Sequence, residues 1–78
     1  MLKITRAGNR MKLEGRLAGE FVQEFVRNAE KNDHLDLSDL DFVDHEGVRA
    51  LREALDSGAS VLRVSPFVKI QLGLSVDV

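Results

Sequence analysis

The sequence predicts a small α/β fold with the element order ββαβαβα, in which a mixed, mostly parallel four-stranded sheet carries its helices mainly on one face. The prediction rests on short segments in which apolar and polar residues alternate, and on longer segments with apolar residues at helical spacing. Strands that alternate with helices imply parallel pairing through right-handed crossovers, here after an antiparallel hairpin. The expected strands are residues 2–6, 11–14, 35–39 and 60–64.

The chain opens with the hairpin and continues into the first helix. Gly8 and Asn9 lie between the first two strands and suit a tight turn. The segment from Gly15 to Gly19 then breaks the strand pattern. An apolar stripe with polar residues opposite it predicts a helix over about residues 19–30. The stripe consists of Phe21, Val22, Phe25, Val26 and Ala29.

Residues 35–51 are the most informative part of the chain, because they indicate a strand, a tight acidic turn and a helix in direct succession. Asp44 is a good N-cap for this second helix, and Gly58 suits the position just after its end. A third helix is expected to begin with Ser65 as its cap and Pro66 as its first residue. Its apolar residues cover more than one face, which indicates burial on two sides or contact with a partner. They are Phe67, Val68, Ile70, Leu72 and Leu74.

The alternation within the strands also predicts the layers. Strands that are covered on both faces are continuously apolar, whereas these strands carry polar residues at every second position. We therefore expect the helices on one face of the sheet and water on the other. The polar side chains expected on the open face are Lys3, Thr5, Lys12, Glu14, Asp36, Ser38 and Arg63.

Composition excludes several classes of function. The net charge of −2 and the presence of four Phe as the only aromatic residues argue against a nucleic-acid partner. The absence of cysteine excludes disulfide and thiolate chemistry and fits a reducing cytosol. No apolar stretch approaches the roughly 20 residues that a bilayer span requires. We expect a single cytoplasmic domain over residues 1–78, with no membrane insertion and no cofactor.

The residue pattern does not predict an enzyme. His34 and His45 lie among aspartates, but their spacing is not that of a metal site, so no metal ion is expected. An activated nucleophile needs a base beside it. The serines that lack a nearby histidine base are Ser38, Ser57, Ser60 and Ser65.

Residues 35–51, LDLSDLDFVDHEGVRAL, resemble the aspartate-serine strand, the hydrophobic-aspartate turn and the glycine-led helix of the STAS domain. This is the fold of bacterial anti-anti-sigma factors, and it is also found appended to sulfate transporters. Residues 15–17 resemble the turn after the second strand of the family, and residues 58–65 resemble the approach to its third helix. The resemblance covers about residues 2–74 and implies a STAS-like binding module that is not an enzyme. The sequence stops where the family usually adds a further strand and helix, so it is expected to be either a minimal version of the domain or a segment of a longer protein.

In this family a partner kinase, often also an anti-sigma factor, phosphorylates a Ser or Thr just before the helix glycine, and a phosphatase reverses the modification. The resemblance places Glu46 at this phosphoacceptor position, with His45 before it, while Asp44 and Gly47 match the family. Glu46 cannot be phosphorylated, and its carboxylate carries one negative charge where phosphoserine carries nearly two. It therefore resembles a partial, permanent mimic of the modified state, and no phosphorylation switch is expected.

The resemblance implies a protein partner such as an anti-sigma factor/kinase or a phosphatase, with basic residues facing Glu46. Two alternatives remain open: a regulatory STAS subunit of a membrane transporter ATPase, and a small-anion or nucleotide sensor with a cleft beside the start of the second helix. Homodimerisation through the apolar third helix is a further expectation. The residues expected to contact the partner are Asp44, His45, Glu46, Gly47, Arg49 and Arg52.

Overall fold

The computed structural model describes residues 1–73, and these residues form the predicted order ββαβαβα. The four strands make one sheet in the order β1-β2-β3-β4, in which the first pair is antiparallel and the other two pairs are parallel. The predicted α/β fold is confirmed, and the arrangement is consistent with a STAS-like fold. The strands are β1 (Leu2–Ala7), β2 (Arg10–Leu17), β3 (His34–Val43) and β4 (Ser60–Val64), and the helices are α1 (Phe21–Asn28), α2 (His45–Asp56) and α3 (Pro66–Leu72).

The helices lie on one face of the sheet, as the alternation of polar residues predicts. The connections through α1 and α2 each lead to the next strand in the same direction across the sheet. Crossovers of this kind are right-handed, and two successive ones in the same direction place both helices on the same face. The third helix, α3, packs against β3 and α2. On the opposite face Lys3, Thr5, Ser38 and Arg63 are exposed, and Lys12, Glu14 and Asp36 are half-buried.

The hydrophobic core fills the space between the sheet and the helices. Phe25, Leu51 and Val68 supply one fully buried side chain from each helix. They belong to the same cluster as Leu13 and Leu37 of the two central strands, neither of which has any exposed area. Burial of a side chain of this size contributes about 1.5–3 kcal/mol. Each helix is therefore held to the sheet mainly by apolar contact.

The third strand is twice as long as the alternation predicts, and it extends directly to Asp44, after which α2 begins as predicted. The buried residues of β3 change their spacing from two, between Leu35 and Leu37, to three, at Leu40 and Val43. The register against β2 shifts at two places, and at each place β3 contains one more residue than its neighbour. Such bulges keep a strand in the sheet while they break the period of two. The chain therefore remains in the sheet until residue 43.

The prediction of a turn over residues 15–17 is wrong, because this segment is the end of β2. Gly15 has a φ of 97°, which other residues rarely adopt. A Cβ atom at this position would lie 2.3 Å from the carbonyl oxygen of Met1. The glycine thus marks a close approach between neighbouring strands, next to a register shift, and does not mark the end of the strand.

The third helix begins as predicted, with the Ser65 hydroxyl accepting the N–H of Val68 at 3.4 Å and with proline as the first helical residue. Its apolar residues are not buried on two sides. Val68 and Leu72 face the core, whereas 53% of Phe67 and 73% of Ile70 are exposed within the described residues. Leu74, which was expected to continue this apolar set, lies outside the described residues. No helix within residues 1–73, α3 included, is long and apolar enough to cross a membrane.

An ion pair between the half-buried Arg6 and the buried Asp33 connects the hairpin to the start of β3. Both oxygens of the Asp33 carboxylate accept hydrogen bonds from the Arg6 guanidinium at 2.9 Å, and Oδ2 also accepts the N–H of Glu30 at 2.8 Å. The same guanidinium donates to the carbonyl of Asn28 at 2.7 Å, just at the end of α1. Only 1% of Asp33 is exposed. The hydrogen bonds from Arg6 hold the pKa of this carboxyl below its usual range, against the opposing effect of burial.

We expect the substitution Asp33→Asn to lower the free energy of unfolding at pH 7 by about 2 kcal/mol, since charge-assisted hydrogen bonds to Arg6 are lost. Because the pKa of Asp33 is lowered in the folded state, its contribution is present above the unfolded pKa of about 4 and is lost as the pH falls below it. Urea denaturation at pH 7 and pH 3 measures both effects. A stability difference between wild type and variant that is equal at the two pH values would contradict the prediction, and Asp56→Asn, at an exposed position, is the control.

Candidate functional site

The residues predicted to contact a partner gather at the start of α2 and along its first turns. They differ in their exposure, which divides them into two groups. Asp44 is half-buried and Gly47 is buried, so both are parts of the fold. The exposed residues are His45, Glu46, Arg49 and Arg52.

Asp44 caps α2, as predicted, and also binds the approach to α1. Its Oδ1 accepts the N–H of Gly47 at 2.7 Å, and its Oδ2 accepts the N–H of Gly19 at 2.9 Å. Its own backbone N–H donates to the carbonyl of Leu17 at 3.2 Å. The N–H of Gly19, followed by that of Gly47, holds the pKa of the Asp44 carboxyl below its usual range. Both oxygens of this carboxylate are therefore occupied within the fold.

Gly47 permits the first turn of α2 to lie directly on the end of β2. A Cβ atom here would be 2.4 Å from the carbonyl oxygen of Leu17 and 2.8 Å from Cγ1 of Val43. Both distances are too short for a real Cβ contact, and the first of them involves backbone that cannot move aside easily. The glycine of the motif thus has a packing function in this chain.

Glu46 and His45 project from the same turn into solvent. The glutamate places a negative charge at the positive end of the helix dipole, which stabilises a helix by about 0.3–1 kcal/mol. Among residues 1–73 its carboxylate takes part in no ion pair, because the two that occur are Arg6–Asp33 and Lys12–Asp39. Its charge is therefore not neutralised by an ion pair in the part of the chain that the structure describes.

The exposed side of α2 continues this surface. A shallow groove of about 220 Å³ is lined by His45, Val48, Arg49, Arg52 and Glu53. The half-buried Val48 supplies an apolar patch between charges of both signs. Small-molecule sites are usually larger, about 300–1,000 Å³. The groove therefore suits side chains of a protein surface better than a small ligand.

Arg52 differs from Arg49 because it has a structural function within the chain. Its Nε and Nη2 both donate to the carbonyl oxygen of Leu72 at 3.1 Å, and so satisfy an acceptor at the end of α3. Arg49 forms no side-chain hydrogen bond or ion pair with any residue of the described part of the chain. Of the two arginines expected to meet a partner, Arg49 is thus the one whose guanidinium is not already engaged.

The expectation that Ser60 lacks a nearby histidine base is wrong. The parallel pairing of β3 and β4 sets His34 opposite Ser60, and the histidine Nδ1 lies 2.8 Å from the serine Oγ. Nucleophilic catalysis also requires a group that orients the base and donors that stabilise the oxyanion. The neighbouring carboxylate of Asp33 is occupied by Arg6. Within residues 1–73 there is also no group of three His, Asp or Glu residues that could hold a metal ion.

A scan of the chain against protein-family models finds no match, and a search of curated proteins finds no significant match either. The resemblance to the STAS domain therefore rests on residues 35–51 and on a fold that is consistent with it. A binding function of the start of α2 is accordingly a proposal, argued from the geometry above.

The substitution Gly47→Ala is expected to destabilise the protein by about 1–3 kcal/mol, because the added methyl group meets the carbonyl of Leu17. At an unconstrained helical position the same change would stabilise by about 1 kcal/mol, so the sign is decisive. Thermal and urea denaturation measure it. The control Glu46→Ala, one residue earlier and exposed, should change stability by less than about 1 kcal/mol. A stabilised Gly47→Ala would show that α2 does not lie on β2 in this way.

The substitution Asp44→Asn tests the second hydrogen bond of the cap. Asparagine is also a good N-cap, so the bond to Gly47 is kept, but one of the two acceptor oxygens is lost and Gly19 is left without a partner. We expect a loss of about 1–2 kcal/mol at pH 7. The loss should shrink as the pH falls below about 4, because the lowered pKa of Asp44 stabilises the fold only while the carboxyl is ionised. Asp41→Asn, at an exposed position of β3, should show neither effect.

Proposed function

We propose that this protein is a cytoplasmic STAS-like interaction module, similar to an anti-anti-sigma factor, that binds a regulatory protein through the start and exposed side of α2. The observation that carries the proposal is the exposed Glu46, held at a helix end whose neighbours Asp44 and Gly47 are fixed in the fold. The binding surface consists of His45, Glu46, Val48 and Arg49, at the edge of the groove on α2. It has no catalytic role.

The charge of this surface defines the partner. Glu46 repels anions and attracts a basic group, so the partner carries Lys or Arg opposite this position. An anti-sigma factor/kinase or a phosphatase of the STAS systems is the proposed partner class. A glutamate cannot gain or lose a phosphoryl group. The charge at position 46 is therefore fixed, at a value between that of serine and that of phosphoserine.

A small-anion or nucleotide sensor at the same helix end is less well supported. The N–H of Gly47, which would receive an anion at a helix start, already donates to Asp44. The exposed carboxylate of Glu46 adds repulsion. A regulatory subunit of a transporter ATPase would also use a protein-binding surface. Identification of the partner distinguishes this alternative from the main proposal.

The experiment that tests the proposal compares three immobilised proteins: wild type, Glu46→Ser and Asp56→Ser. The last variant removes one negative charge from the far, exposed end of the same helix. Proteins captured from native lysate are identified by mass spectrometry, and the purified partner is then titrated against each protein. We expect wild type and Asp56→Ser to bind equally, and Glu46→Ser to differ by about tenfold in Kd, which is the effect of one charge-assisted contact.

Equal binding of all three proteins would show that Glu46 is only a helix-end charge. Capture of a transporter ATPase in place of a kinase or phosphatase would support the alternative assignment. Incubation of Glu46→Ser with the captured kinase and labelled ATP adds a second readout, because incorporation at the introduced serine would show that the kinase still recognises this turn.

A further inference from the structure

The open face of the sheet contains a second surface feature, separated from α2 by the sheet itself. A hollow of about 330 Å³ lies there, and residues from all four strands line it. Its volume is at the lower end of the range of small-molecule sites, about 300–1,000 Å³. The side chains that give it its chemistry are Thr5, Arg10, Lys12, Asp36, Leu62 and Arg63.

The strand register brings these residues together. Thr5 pairs with Lys12, which pairs with Asp36, which pairs with Arg63, so one row crosses the whole sheet. Neighbouring strands are about 4.8 Å apart, and side chains of one row point to the same face. Arg10 lies two residues before Lys12 on β2 and therefore on that same face. Three cationic side chains and a single carboxylate, that of Asp36, thus line one hollow, and Arg63 is distant in sequence from the other two cations.

Two of these cations, Arg10 and Arg63, form no ion pair within residues 1–73, although Arg63 lies opposite Asp36 in the strand register. Lys12 pairs with Asp39 at 3.0 Å, and Asp36 accepts hydrogen bonds from the hydroxyl and the N–H of Ser38 at 2.7 and 3.1 Å. Neither of the ion pairs in this part of the chain involves Arg10 or Arg63. Two guanidinium groups are therefore available in a protein whose net charge is −2.

An apolar side chain completes the hollow. Between its pairings with β3 at Val61 and Arg63, β4 contains the additional residue Leu62, and 43% of this leucine is exposed. A ligand that meets both guanidinium groups would thus have apolar surface beside it. A sheet face that serves only solubility needs polar side chains. This face also has an exposed leucine beside its cations and the Thr5 hydroxyl.

We infer that this hollow is a binding site for a small phosphate monoester with an apolar substituent. The planar guanidinium groups of Arg10 and Arg63 offer paired N–H donors that match phosphate oxygens, and the Thr5 hydroxyl offers another donor. The apolar substituent lies against Leu62. The site is independent of the proposed function of α2, because the two surfaces share no residue.

The test is a titration of the protein with phenyl phosphate, followed by ¹⁵N–¹H correlation NMR. We expect saturable shifts of the amides of residues 10, 12, 62 and 63, and a Kd that is about tenfold weaker in Arg63→Gln and in Arg10→Gln. The matched control is Arg27→Gln, which removes one positive charge from the exposed surface of α1 and should leave the Kd unchanged. The spectrum of each free variant verifies that it is folded.

Three results would overturn the inference. Equal weakening in Arg63→Gln and Arg27→Gln would mean that phenyl phosphate responds only to overall charge. Equal shifts with benzyl alcohol, which has the ring without the phosphate, would mean that the hollow is only an apolar patch. Shifts confined to residues 44–48 would place the anion at the start of α2.

Discussion

The Asp44 carboxylate accepts one N–H from the approach to α1 and one from the first turn of α2, while the backbone of the same residue donates to the end of β2. These three bonds join the approach to α1, the first turn of α2 and the end of β2 at a residue that directly follows β3. Gly47 belongs to the same junction, because only a residue without Cβ lets α2 approach Leu17 so closely. The position and direction of α2, and hence of its exposed face, follow from these two residues.

The opposite end of β3 is held by a second aspartate, whose two carboxylate oxygens are also hydrogen-bonded. Asp33 receives the Arg6 guanidinium and the N–H of Glu30, and so connects the hairpin, the end of α1 and the start of β3. The third strand, β3, thus has one hydrogen-bonded aspartate directly before its start and another directly after its end. A domain of this size buries only about 60–65% of its unfolded surface, so such directional bonds supplement a modest core.

Local rules were sufficient to predict much of the fold. The N-cap at Asp44, the serine and proline at the start of α3 and the bounds of β4 each depend on a few adjacent residues. The length of β3 could not be predicted from alternation, because two bulges against β2 change the spacing of its buried residues. Those bulges arise from the pairing of β2 with β3, so the sequence of β3 alone contains no periodic pattern that would reveal them.

The candidate site shows the same limit. The exposed Glu46 and the buried Gly47 follow from their places in a capped helix, but the bond of Arg52 to Leu72 depends on how α2 and α3 pack. The contact of His34 with Ser60 likewise arises from strand register across 26 positions of sequence. The cations of the open face gather for that reason too. Pairs of this kind become visible only when the topology is known.

The first turn of α2 combines two kinds of position: Asp44 and Gly47 are committed to the scaffold, and the exposed side chains of residues 45 and 46 between them form no ion pair within residues 1–73. Natural variation at the exposed positions should be nearly neutral for folding, whereas variation at the committed ones should be purged. The exposed surface of this turn can therefore change without a compensating change elsewhere in the fold. In evolutionary terms, the positions that form the exposed surface and the positions that the fold requires are different residues of one four-residue segment.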